Sequence, residues 1–105
     1  MELGKTLDAV EMLAKAMQEQ DPVERLQTYA AISRLLDEIE SYSRNCEEKG
    51  EDVGYARIHI AEMLEPLAGL AGIGLYGPER SADCITWILQ GVQKLRKDHP
   101  FSLRV

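Results

Sequence analysis

The sequence predicts an all-α fold, a compact antiparallel four-helix bundle with a kinked third helix, built as one domain of 105 residues. Three observations predict it. Apolar residues recur at steps of three and four in four separate stretches, the spacing that keeps one face of a helix against a core. Helix formers (Ala, Leu, Glu, Arg, Lys, Gln and Met) dominate, and β-branched residues are scarce outside those stripes. The stripes are separated by Pro- and Gly-bearing punctuation, which ends one helix and starts the next. A chain of this length can bury a core without a metal or disulfides, and its 45% hydrophobic and 29% charged residues are those of an ordinary globular protein.

The first helix is expected over 3–18, with Leu7, Val10, Leu13, Ala14 and Met17 on one face and Glu11 and Lys15 as a favourable pair four residues apart. Asp21-Pro22-Val23-Glu24 then carries the clearest local signal in the chain. Asp21 suits the cap, Pro22 the first helical position, and Glu24 the place of a capping-box acid. The second helix, 22–48, has its seam at Tyr29, Ile32, Leu36, Ile39 and Cys46, interrupted by Ser43. At ~1.5 Å per residue it is about 40 Å long, and Gly50 is its stop. The short turn before it predicts that the first two helices form an antiparallel hairpin.

The third helix is expected over 52–72, on Val53, Ala56, Ile60, Met63, Leu67 and Leu70. Pro66 removes a backbone donor and crowds the carbonyl of Glu62, so a kink is expected there, since the three-four spacing runs on past it. No charged side chain occurs from Pro66 to Pro78, and Gly69, Gly72, Gly74 and Gly77 progressively weaken the helix. The 67–76 segment is expected to be mostly buried, with Leu75 and Tyr76 more exposed. The fourth helix, 79–97, is seamed by Ile85, Ile88, Val92 and Leu95 and ends in Lys94, Arg96 and Lys97, where cations oppose the helix dipole. Gly91 is a poor helix residue whose presence a close helix crossing would explain. The tail, 98–105, alternates apolar and polar residues after Pro100.

The net charge of −6 argues against a general affinity for nucleic acid. It is unevenly spread: from Asp37 to Asp52 there are seven acids against two bases, while from Ser81 onward bases exceed acids. No apolar run approaches the ~20 residues of a membrane span. Cys46 and Cys84 form no CxxC pair and follow no signal-peptide pattern, so a cytoplasmic protein with reduced thiols is expected.

Chemistry-bearing patterns are thin. Gly72-Ile73-Gly74-Leu75-Tyr76-Gly77 matches GxGxxG, but a dinucleotide site needs a strand before it and a helix opening within it. His59 and His99 lack partners at metal-ligand spacing, so no metal or cofactor is expected. Glu47 and Glu48 beside Cys46 disfavour a reactive thiolate. The expected function is therefore that of a non-enzymatic interaction module, an adaptor or inhibitor, binding another protein with a basic surface through an acidic helical face. The residues expected to carry it are Asp37, Glu38, Glu40, Glu47 and Glu48 for charge complementarity, with Tyr42 and Tyr76 as anchors. Two other readings fit the same residues: a homodimeric structural bundle, and a ligand- or metal-binding bundle using space opened by the Pro66 kink.

Overall fold

The capping box forms as its residues dictate. In the computed structural model, which describes residues 2–98, Asp21 Oδ1 accepts from the Glu24 amide at 2.8 Å and Glu24 Oε1 accepts from the Asp21 amide at 3.0 Å. Substituting Asp21 with alanine removes the acceptor of the Glu24 amide at this helix start. It should lower stability by about 1 kcal/mol, read as a lower urea midpoint at unchanged slope.

Four α-helices follow one another: α1 (Leu3–Ala16), α2 (Pro22–Glu48), α3 (Ala56–Leu70) and α4 (Ser81–Lys97). Single 3₁₀ turns at Met17–Glu19 and Pro78–Arg80 extend α1 and precede α4. No strand occurs among the described residues. The helices pack as a ring, α1 on α2, α2 on α3, α3 on α4 and α4 back on α1. Short connections make each neighbour antiparallel, an up-down-up-down bundle. It measures 42 × 21 × 19 Å, with a radius of gyration of 13.6 Å.

Each helix buries the stripe its spacing implies. Leu3, Leu7, Val10 and Ala14 of α1, with Met17 beyond it, meet Ile32, Leu36 and Ile39 of α2, Ile60, Met63, Leu67 and Leu70 of α3, and Ile85, Ile88, Val92 and Leu95 of α4 in one continuous core. Two seam positions differ from expectation. Leu13 lies at the edge of the core, and Thr28 rather than Tyr29 is the buried residue in the first turns of α2. Thr28 is tolerated there because its hydroxyl donates to Gln20 Oε1 at 2.8 Å. Arg25 ties the same end of the bundle, donating from Nε to the Met17 carbonyl at 2.9 Å and from Nη1 to Ser81 Oγ at 3.1 Å.

The start of α3 lies later than 52. Val53 is buried, but in the connection rather than on the helix. Asp52 Oδ1 accepts from the Gly54 amide at 2.8 Å, closing a local turn, and Gly54 has φ of 59°. The asparagine-like turn competes with the helix for this backbone and wins until Ala56. At the other end, α3 runs through Pro66 to Leu70. Gly72, at φ 81°, then reverses the chain. Its amide donates to the Gly69 carbonyl and that of Ile73 to Ala68, a Schellman stop that a side chain at this φ would strain. Beyond it Ile73 and Leu75 are exposed, whereas Tyr76 is half-buried. The expected tail from His99 onward lies outside the described residues.

Candidate functional site

The acidic half of α2 does not present one face. At ~100° per residue, Glu38 and Tyr42 turn toward the α1 side and Glu40 and Glu47 toward α3, with Asp37 on the outward face between them. The first set borders a shallow groove with Glu2, Thr6, Arg34, Ser41 and Asn45. The second borders a groove of about 560 Å³ with Tyr55, Arg57, Ile58, Ile60, Ala61 and Leu64. Glu48 is exposed on the last turn of α2. The five expected carboxylates are thus spread around the exposed surface of one helix rather than gathered on one face.

Tyr42 is half-buried on the flank of the core beside Asp37 and Glu38. Tyr76 stands elsewhere. It borders a cleft with Pro22 and Arg25 at the start of α2, some ~30 Å along the helix from Glu47. There its ring packs on Trp87 with centroids 5.2 Å apart, and the Arg80 guanidinium lies 5.6 Å from the Tyr76 ring and 5.2 Å from that of Trp87. The two expected anchors are not brought together.

The ion pairs near the acidic surface are solvent-exposed. Glu40 meets Arg44 at 2.8 Å and Glu47 meets Arg57 at 3.5 Å, all four side chains being about a third or more exposed. Pairs of this kind contribute roughly 0–1 kcal/mol each, so they leave the local field negative at little structural cost. Asp37, Glu38 and Glu48 make no ion pair with a described residue. Elsewhere the positive end of α4 is anchored internally: Arg96 binds Asp8 at 2.8 Å and Glu11 at 3.3 Å across the α1–α4 seam. Glu11 is held below the usual carboxylate range, chiefly by its hydrogen bond from Lys15 and then by that from Arg96.

One surface feature was not anticipated from the sequence. Tyr55, Ile58 and Leu64 are 66%, 54% and 49% exposed, with Ala61 exposed between them. Once the α3 seam is assigned, these four remain as a second apolar series at three-residue steps, and that leftover series was the available signal.

The other chemical groups are placed as follows. Cys46 and Cys84 are buried on α2 and α4 and form no disulfide. Burial pushes the Cys84 thiol up, and the opposing pull of Arg80 is smaller. His59 Nε2 lies 3.0 Å from Asp98 Oδ2, both side chains being mostly buried. Among the described residues no group of three or more His, Cys, Asp or Glu converges at metal-binding distance. In the GxGxxG stretch the Gly72 and Ile73 amides are bonded to α3 carbonyls, so neither faces outward to a phosphate. Among the described residues no helix is long and apolar enough to cross a membrane. Comparison with protein-family models, with curated proteins and with solved structures returns no match to this chain.

Proposed function

We propose that this chain is a non-enzymatic interaction module, an adaptor or inhibitor, that binds a partner protein with a basic surface through the acidic surface of α2. The observation that supports the reading is the concentration of exposed carboxylates on the second half of α2 beside exposed apolar side chains of α3. Charge of one sign over a surface steers an oppositely charged protein and fixes its orientation, while apolar contact area supplies most of the affinity. Self-association is the second reading, favoured by the same exposed Tyr55, Ile58 and Leu64.

The test is capture from the native source by the wild-type chain and by a chain with Asp37, Glu38, Glu47 and Glu48 reversed to lysine. The wild type should retain a specific protein whose affinity falls at least ~10-fold between low and physiological salt, and the reversed chain should lose it. A partner held equally by both chains, at any salt, would sink the proposal.

A further inference from the structure

Building on that reading, we propose that the element recognised is a basic amphipathic helix of the partner, seated in the groove between α2 and α3. The floor is apolar: Ile58, Ala61 and Leu64 on α3, with Tyr55 at one end. The series from Tyr55 to Leu64 spans about 14 Å at 1.5 Å per residue, room for two to three turns of a docked helix. The far rim is acidic, with Glu40 and Glu47 on α2 seven residues apart, about 10 Å or two turns. A partner helix carrying apolar residues at i, i+4 and i+7 and Lys or Arg seven residues apart on its flank matches floor and rim together.

The surroundings select this occupant over others. The groove runs between two helix axes, the geometry into which a third helix packs by ridges and grooves. Backbone pairing with an extended peptide is not on offer, because the described surface has no strand edge. A second copy of this chain docked through the same stripe would bring the rim carboxylates Glu40 and Glu47 against an equally acidic rim. Both rim carboxylates already hold an arginine, Glu47 with Arg57 at 3.5 Å and Glu40 with Arg44 at 2.8 Å, and exposed pairs of this kind are weak enough for a partner's cations to compete with them.

The probe is a synthetic 18-residue helical peptide with leucines at i, i+4, i+7 and i+11 flanked by lysine and arginine, titrated into the full chain. A scrambled peptide of the same composition and a glutamate-for-lysine version serve as controls. We expect a Kd on the order of 10 µM for the patterned basic peptide and at least ~10-fold weaker binding for both controls. Ile58→Gln with Leu64→Gln, both at exposed positions and checked for an unchanged unfolding curve, should weaken it ~10-fold or more. Glu38→Lys, on the α1 side of α2, should weaken it less. Amide shifts on binding should cluster at 40–47 and 55–64.

Binding untouched by the two glutamines, or shifts that map to another surface, overturns the groove assignment even if acid-dependent capture persists. Equal binding of patterned and scrambled peptides overturns the helical form of the ligand and leaves the broader reading standing. A dimer that Ile58→Gln dissolves gives the groove to a second copy and overturns the inference. Failure of the native-source capture removes the reading underneath both.

Discussion

Replacing Leu36 with alanine should destabilise the fold by about 3 kcal/mol, within the 2–5 range for emptying a sealed leucine site. Leu36 is 1% exposed at the middle of α2, one turn from both Ile32 and Ile39, on the helix that touches α1 and α3 together. Its removal forfeits the transfer energy of the lost carbons and leaves a cavity that rigid helices on either side cannot close. Against a total of roughly 5–15 kcal/mol, that is a large share. Urea unfolding followed by circular dichroism should show the lowered midpoint with the slope retained. The neighbouring half-buried Leu35 supplies the control, with a smaller loss expected. A Leu36→Ala effect below about 1 kcal/mol would mean that α2 does not seat as described.

The second large effect is expected at Gly91, where α4 crosses α3. A Cβ added there would overlap Met63 Cγ and Sδ. Met63 is itself 1% exposed, so it has no route to solvent. Two effects oppose each other in Gly91→Ala: the helix gains about 1 kcal/mol of propensity, while overpacking costs roughly 1–3 kcal/mol. The closed site makes overpacking the larger, though methionine's flexible thioether softens it, so a net loss near 1 kcal/mol is expected. Gly91→Val adds a β-branch to the same collision and should cost about 3 kcal/mol. A double-mutant cycle is decisive: in the Met63→Ala background, Gly91→Ala should become neutral or stabilising. Simple additivity would show that the two residues do not share the space.

What was legible in the sequence follows from how local each cause is. The Asp21–Glu24 box needs only four consecutive residues, and it forms with both of its hydrogen bonds. The bounds of α2 and the seam of α4 were likewise readable, because a cap, a glycine stop and a three-four stripe are all properties of one segment. The hydropathy pattern puts Val53 on α3, because burial in a connection and burial on a helix look alike in it. Only the Asp52–Gly54 turn separates them. The acidic residues were grouped by proximity along the chain. Their spread around the exposed surface of α2 depends on where its two neighbours lie, which no single stripe encodes. Tyr76 shares only its residue type with Tyr42, and the fold sends it to the opposite end of α2.

Closure of the ring has a kinetic meaning. Three of its four seams join helices consecutive along the chain, contacts that hairpin-like pieces can form early at small loop-closure entropy. The α1–α4 seam is different, since Arg96 reaches Asp8 across 88 residues. It brings the two outermost helices together, and of the four seams it closes the longest loop. Contacts across it are therefore expected to be the least formed in the folding transition state, so that Arg96→Ala should speed unfolding more than it slows folding.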